Sequence, residues 1–280
     1  MTISSSVVFY QNSREDVYTV VRALLECGLC SDVFIIDNSP EPVRLDSSLT
    51  SRIEYIKPSR NIGFGAAHNL ALRKSLDRGC QYHLVINPDV HFSKTLVQVL
   101  YNYMQANPDV GIGMPRVCYP DGSNQHLAKL LPEPGWLAVR LLNRLLPEGL
   151  VHRVNRKYEL HDLDLDQPVQ VPSLSGCFMF LRCEALRRAG LFDERFFLYF
   201  EDYDLVRRVG SLYKTVYYPE LSITHDFARA SRRSVRAFLH HVFSAVRYFN
   251  KWGWFSDMHR DSINNDVLSR VGKKHPINLD

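Results

Sequence analysis

Four short stretches of this chain carry residue types that do chemistry. The first is Arg60-Asn61-Ile62-Gly63-Phe64-Gly65-Ala66-Ala67-His68-Asn69. Glycines let a backbone approach a ligand closely, and the helix that follows offers N–H groups to an anion. The spacing is not G-x-G-x-x-G, which disfavours a dinucleotide fingerprint. The second is Asn87-Pro88-Asp89, directly after the apolar Leu84-Val85-Ile86. An Asp at a strand end can hold a divalent metal that clamps a diphosphate; the same three residues also make an ordinary turn. The third is Glu201-Asp202-Tyr203-Asp204, delivered by five bulky residues, Phe196 to Phe200. Carboxylates at a helix start suit the helix dipole. A partly dry setting also raises a carboxyl's pKa and makes it a better proton acceptor at neutral pH. The fourth is His225-Asp226 after Leu221-Ser222-Ile223-Thr224. A neutral imidazole can complete a metal site, although a lone His is more often structural.

The elements that must position these groups alternate. Residues 4–10 are β-rich, and Val17 to Leu29 carries apolar side chains at helical spacing. Val33 to Ile36 is a short apolar run ending in Asp37-Asn38-Ser39-Pro40. Ile53 to Ile56 and Tyr82 to Ile86 are further strands. Ile62 to Leu76 is a helix, and Ser93 is placed to cap another. Such alternation predicts an α/β fold with a mostly parallel central sheet, which binds ligands at the carboxyl ends of its strands. Asp37 and Asp89 fall on that rim. Residues 127–168 read as a Leu-rich insertion ending in Glu159, Asp162, Asp164 and Asp166. Val169 to Arg182 returns to strand character. Arg182 to Ala189 is a short helix, Ser231 to Lys251 a long one, and the chain after Ile263 a loose tail.

Apolar residues make up 45% and charged residues 23% of the 280, the balance of a globular protein with a sizeable core. The net charge of +4 does not argue for nucleic acid, but its distribution is uneven. Between Arg229 and Lys251 lie six Arg or Lys residues and no Asp or Glu. That strip suits phosphates or an anionic membrane surface. The six cysteines include Cys27-x-x-Cys30 with no second pair for zinc, so all are expected to be plain thiols, as in the cytoplasm. No signal peptide and no run of roughly 18 apolar residues is evident.

Together these residues resemble family 2 glycosyltransferases of the GT-A fold, the rhamnosyltransferase-like branch above all. The resemblance spans roughly residues 4–230. It rests on Asp37-Asn38, Asn61-x-Gly63-Phe64-Gly65-x-x-x-Asn69, Asn87-Pro88-Asp89-Val90, and the stretch from Gly176-Cys177-Phe178-Met179 through Gly190-Leu191-Phe192-Asp193-Glu194 to Glu201-Asp202-x-Asp204-Leu205-x-x-Arg208. It implies a Rossmann-like catalytic domain over 1–228 and a basic helical extension over 229–280. It implies Asp202 as catalytic base, and Asp89 with His225 as the site of Mg²⁺ or Mn²⁺. Donor contacts would come from Tyr10, Asp37, Arg60, Asn61, Gly63, Phe64, Gly65, Asn69, Asn87, Gly176, Glu201 and Arg208. The implied reaction is inverting transfer from a nucleotide-sugar, dTDP-rhamnose foremost and UDP-sugars (GlcNAc, galactose, galactofuranose, glucose) as alternatives. The acceptor would be a lipid-linked oligosaccharide or polysaccharide of a surface glycan, met at the inner face of the plasma membrane.

Two features depart from the family pattern. The first strand ends in Phe9-Tyr10-Gln11-Asn12, and Asn87 stands where many relatives carry a second carboxylate. A metal would then bind mainly together with the donor. The basic helix, with Arg232, Arg233, Arg236 and Arg247 beside Trp252, Trp254 and Phe255, suits either membrane docking or plain packing on the domain. A sugar-1-phosphate nucleotidyltransferase would need glycines where Tyr10 to Arg14 stand. A non-catalytic nucleotide-sugar-binding protein would have no use for Asp89, Asp202 and His225 together. A nucleic-acid-binding module would leave the acidic rim unexplained.

Overall fold

The computed structural model describes residues 2–43, 53–162, 167–226 and 235–270. Asp164 and Asp166 of the acidic patch lie outside the described residues, as do Arg229, Ser231, Arg232 and Arg233 of the basic strip.

Strand β1 (Ile3–Phe9) shows how the sequence builds the core. Its side chains alternate across the sheet. Ile3, Val7 and Phe9 join Val17, Val20, Val21 and Leu24 of helix α1 (Arg14–Glu26) in one cluster, and Val8 joins Ala67 and Ala71 of α2 (Phe64–Asp77) in another. The Ser13 side chain caps α1 by accepting from the Asp16 N–H at 3.1 Å. In order across the sheet run β3 (Ile53–Ile56), β2 (Cys30–Asp37), β1, β4 (Tyr82–Ile86), β8 (Phe178–Arg182), β6 (Val110–Cys118), β9 (Lys214–His225) and β5 (Val90–His91), with β7 (Val169–Gln170) beside β9. The β3-β2-β1-β4 half is parallel, and β8 enters antiparallel to both β4 and β6. That reversal brings the start of β8 against the end of β4, which is what places Gly176 beside Asn87.

The helices α3 (Leu96–Ala106), α6 (Cys183–Ala189) and α7 (Glu201–Gly210) cover the sheet. Thr95, not Ser93, holds the cap position of α3, because the Ser93 carbonyl accepts from the Leu96 N–H. The insertion forms a helical hairpin, α4 (Pro134–Leu141) and α5 (Glu148–Tyr158). It is followed by α8 (Val235–Trp252) and α9 (Met258–Arg270). Residues 271–280 of the loose tail expected after Ile263 lie outside the described residues, but its first part, from Asn264, belongs to this last helix. It is held by polar contacts that apolar periodicity does not register: Asn264 pairs with both the N–H and the carbonyl of Leu131, and buried Arg260 and Val267 complete the seat. All six cysteines are free thiols.

Beneath the sheet lies a buried polar chain. His83 meets Ser4 and Ser75 through Nδ1 (2.8 Å each) and Ser6 through Nε2 (2.7 Å), and Ser6 meets His68 Nδ1 at 2.7 Å. Burial holds both imidazoles far below the ordinary value of 6.5, His83 at about 3. A base depressed in the folded state binds fewer protons there than when unfolded, so stability is lost as pH falls through 6.5. Two such groups imply a loss of roughly 2–3 kcal/mol per pH unit in the window just below that value. Urea midpoints at about pH 7 and pH 5.5 measure it; identical midpoints would contradict the burial of two neutral histidines.

Candidate active site

The carboxyl end of β4 and the start of α7 meet around one dipeptide, Gly176-Cys177. The Gly176 N–H donates to Asp202 Oδ2 at 3.1 Å, and the Cys177 carbonyl accepts from the Asn87 N–H at 2.9 Å. The two acidic centres read from the sequence are therefore joined through adjacent residues. Cys177 registers both: burial first, then the Asp89 and Asp202 charges, push its thiol up to about 12.

Around Asp89 the donors are ordered by a residue that no motif marks. Gln125 Nε2 donates to the carbonyls of His225 (2.7 Å) and Cys118 (3.1 Å). Its Oε1 is then the acceptor for His225 Nδ1 at 3.1 Å. With its proton on Nδ1, His225 presents the Nε2 lone pair, 3.3 Å from Asp89 Oδ1 and 3.4 Å from Asn87 Nδ2. A lone pair and a carboxylate oxygen this close repel unless a cation, a proton or a divalent ion, lies beside them. Burial opposes ionisation of Asp89, but a proton held between it and His225 Nε2 draws its carboxyl below the usual carboxylate range. This N and O pair fits a divalent metal. Among the described residues no group of three His, Cys, Asp or Glu side chains forms a metal cluster. The remaining ligands of an ion here would be phosphate oxygens and water, as is usual for Mg²⁺.

Asp202 is half-buried and Glu201 is buried. Burial raises both carboxyls, and the Asp202 charge raises Glu201 further. Glu201 Oε2 has no hydrogen-bond partner among the described residues. We therefore place the pair's shared proton on Glu201 and leave Asp202 as the group that exchanges protons with a ligand. Asp202 Oδ1 accepts from its neighbour's Tyr203 N–H at 2.9 Å, which fixes the carboxylate plane. The residues leading in, Tyr199 and Phe200, both have left-handed backbones, φ 67° and 66°. Such strain costs about 1–3 kcal/mol per residue and persists only where packing enforces it. Here Phe200 is buried in a cluster with Phe196, Leu137, Tyr248 and Phe249.

The model of glycosyl transferase family 2 matches residues 7–190. The chain belongs to that family. This family 2 chain is 28% identical over 220 residues to N-acetylglucosaminyl-diphospho-decaprenol L-rhamnosyltransferase of Mycobacterium tuberculosis (strain H37Rv), over 71% of this chain and 69% of that one. GalNAc-T7, solved with UDP, GalNAc and Mn²⁺, superposes with a TM-score of 0.59 at 13% identity, over 80% of this chain and 43% of that one. TarS of S. aureus superposes with a TM-score of 0.56 at 15% identity, over 96% of this chain and 43% of that one. The chain thus spans less than half the length of these two solved proteins. The superpositions establish the GT-A fold.

Within the family 2 chain, the residues singled out from sequence divide into two groups. Asn87, Asp89, Gly176, Glu201, Asp202 and His225 come together as described. Tyr10 is exposed at the end of β1 and Arg60 is exposed ahead of α2, both free of contact with that group among the hydrogen bonds described. Asp37 is fully buried beneath its own turn, accepting from the Ser39 N–H (2.8 Å), the Val43 N–H (2.9 Å) and the Tyr55 hydroxyl (2.5 Å). Burial opposes its ionisation, and these hydrogen bonds outweigh burial to keep the carboxyl below the usual range. In this conformation it orders the 38–43 turn and offers no surface to a base.

The Gly63 loop also has another task than cradling an anion. The Gly63 N–H donates to Asn61 Oδ1 (2.9 Å) and the Phe64 N–H to the Phe197 carbonyl (2.9 Å). Gly63 has φ +91°, and a Cβ there would lie 2.3 Å from Phe197 O. Its glycine is required by the close approach of the 196–200 segment, with Gly65 and Phe64 packing onto Phe192 and Gly176 behind it. Two residues expected to contact the donor have other partners in the structure. Arg208 reaches Asp204 (2.9 Å) and the carbonyls of Ala189 (2.6 Å) and Leu191 (2.7 Å), closing the end of α6. Buried Asn69 pins the 192–194 turn through Phe192 and Glu194. Both are scaffold, because their polar groups are already matched by backbone and carboxylate partners.

The apolar stripe of α8 is the remaining surprise. The helix packs on the domain through Ser244, Tyr248 and Phe249. Val235, Phe238, Leu239, Phe243 and Val246, the stripe itself, face outward. Among the described residues no helix is long and apolar enough to cross a membrane.

Proposed function

We propose that this chain transfers a sugar from a nucleoside diphosphate to a hydroxyl of a lipid-linked acceptor in surface glycan synthesis, with L-rhamnose from dTDP-rhamnose as the foremost donor and inversion at the anomeric carbon. The observation that carries the reading is the Gly176-Cys177 bridge between the Asp89 and Asp202 centres. The rhamnosyltransferase relative supports the donor and the acceptor class.

In the reaction, the acceptor oxygen forms a bond to the anomeric carbon as the bond from that carbon to the β-phosphate oxygen breaks. Asp202 takes the hydroxyl proton, and the electron pair leaves with the nucleoside diphosphate. A hydroxyl is a weak nucleophile while protonated, so a positioned base contributes roughly 10²–10⁴-fold. Glu201, neutral and buried behind it, adds no second charge to repel the departing phosphate. Asp89 and His225 would hold Mg²⁺ or Mn²⁺, which would offset the charge that develops on the leaving diphosphate. Gln125 keeps the His225 lone pair turned toward that position.

A thermal-shift panel of nucleotide sugars with Mg²⁺ or Mn²⁺ tests the reading. A donor at a hundred times its Kd stabilises the folded state by about 2.7 kcal/mol through mass action. The expected result is a raised Tm with dTDP-rhamnose. A raised Tm with only a UDP-sugar would reassign the donor, and no shift with any nucleotide sugar would overturn the transferase reading. For the metal, Asp89→Ala is expected to remove the Mn²⁺-dependent part of dTDP binding, so that calorimetric affinities with and without Mn²⁺ become equal. A preserved metal effect in that variant would take Asp89 out of the role.

A further inference from the structure

The α4–α5 hairpin and α8 wall a cleft of about 940 Å³ that no step of the proposed reaction has yet used. It adjoins the reacting centre. Phe200 and Tyr203, which flank Glu201-Asp202 in the chain, line it, and Lys129 at its floor is close enough for its charge to act on Asp202.

Its walls carry more positive than negative charge. Lys129, Arg140 and Arg144 line it against the single acid Glu148, and Val235–Trp252 contains no acid at all. Lys129 (3.4 Å) and Arg140 (2.9 Å) share one carboxylate, Glu159, which leaves the floor with excess positive charge. A cleft of this kind concentrates an anion.

Burial grades from floor to rim. The Lys129 and Arg140 side chains are 15% and 25% exposed, whereas Val235 is 78% and Leu141 47% exposed. At the floor the half-buried Tyr203 pairs hydroxyl to hydroxyl with the buried Tyr158 at 2.7 Å, which leaves Tyr203 as the one of the two placed to meet a sugar. At the rim Leu141, Val235 and Phe238 stand exposed, and the outward stripe of α8 extends the same apolar surface. Exposed apolar side chains rimmed by arginines suit the boundary of an anionic bilayer.

We propose that this cleft is the acceptor subsite and takes a lipid diphosphate: the acceptor sugar on the tyrosine floor facing Asp202, the diphosphate on Arg140 and Arg144, and the hydrocarbon chain leaving past Leu141 and Phe238 into a membrane. The proposal rests on the transferase reading and assigns its acceptor chemistry to named residues.

Calorimetry on the full chain with farnesyl diphosphate, farnesol, inorganic pyrophosphate and dTDP separates the possibilities. Farnesyl diphosphate is expected to bind in the presence of saturating dTDP, with farnesol and pyrophosphate each at least about tenfold weaker. Arg144→Glu, at an exposed position where substitution leaves the fold intact, is expected to weaken farnesyl diphosphate by about tenfold or more while dTDP affinity is unchanged. Displacement of farnesyl diphosphate by dTDP, pyrophosphate binding as well as the lipid, or an unchanged affinity in Arg144→Glu would overturn the assignment. So would a stable dimer in sedimentation velocity that Phe238→Asp dissociates, because a second copy would then cover the cleft. If dTDP binds and farnesyl diphosphate does not, the subsite fails alone; if dTDP does not bind, the transferase reading fails with it.

Discussion

Asp202→Asn is expected to slow sugar transfer by roughly 10²–10⁴-fold while leaving dTDP affinity at the wild-type level. The amide has nearly the shape of the carboxylate but cannot accept a proton at neutral pH. Asp202 receives two backbone hydrogen bonds, one on each oxygen, and Asn can keep only one of them, so a cost of about 1 kcal/mol in stability accompanies the loss of rate. The pH profile gives an independent reading. Burial raises the Asp202 carboxyl above its ordinary 3.8, and the base works ionised. The rate therefore climbs with pH on an acid limb whose midpoint lies above that value, and the limb is absent in the variant. Glu201→Gln makes the contrast. Gln imitates a neutral acid, and Glu201 is the member of the pair that burial and the neighbouring charge keep protonated. That variant is expected to retain both turnover and the limb. Near wild-type turnover in Asp202→Asn, or loss of the limb in Glu201→Gln, would reverse the assignment within the pair.

Arg207→Ala is expected to cost about 3–5 kcal/mol of stability, measured by equilibrium unfolding in urea. The Arg207 and Asp257 side chains are 2% and 4% exposed and meet at 2.8 Å. The guanidinium also lies 4.2 Å from the Trp252 ring centroid and donates to the Tyr248 hydroxyl at 3.3 Å. Truncation leaves the Asp257 charge buried without its counter-ion, which is the costly outcome for a desolvated pair. Asp257 Oδ1 also accepts from the Arg260 N–H at the start of α9, so the partner substitution that spares this contact is Asn. The double variant Arg207→Met with Asp257→Asn is expected to recover most of the loss. A cost below about 1 kcal/mol for Arg207→Ala would mean that the Arg207–Asp257 pair adds little to a seam that Asp204 also holds through Trp252 (2.9 Å) and Lys251 (2.6 Å).

The sequence made some of this legible and hid the rest for identifiable reasons. Asp89 and Asp202 stand where runs of apolar residues end, and the end of a buried element is where a polar side chain meets a cleft. His225 was visible for the same reason. Gln125, which orients it, was not, because a lone glutamine a hundred residues away has no spacing to mark it. Arg208 and Asn69 sit inside motif-like stretches, yet their partners are turns that only the folded chain brings near. The strand ending at His225 begins at Lys214, but Pro219 and Glu220 interrupt its pattern, so only its last residues were recognisable. Helix α9 buries Arg260 and Asn264 where periodicity looks for leucine. For α8 the period is legible and the covered face is not: a hydrophobic stripe specifies a helix, not which side of it the protein covers.

The Gly176-Cys177 dipeptide acts as a gauge. Its two backbone bonds, the Gly176 N–H to Asp202 and the Cys177 carbonyl to the Asn87 N–H, set how far apart the proposed base and leaving group would be kept, and the 38–43 turn and the outer end of the α4–α5 hairpin take no part in them. Those outer segments can accumulate substitutions that exchange one sugar or one acceptor for another while the spacing needed for in-line displacement stays the same.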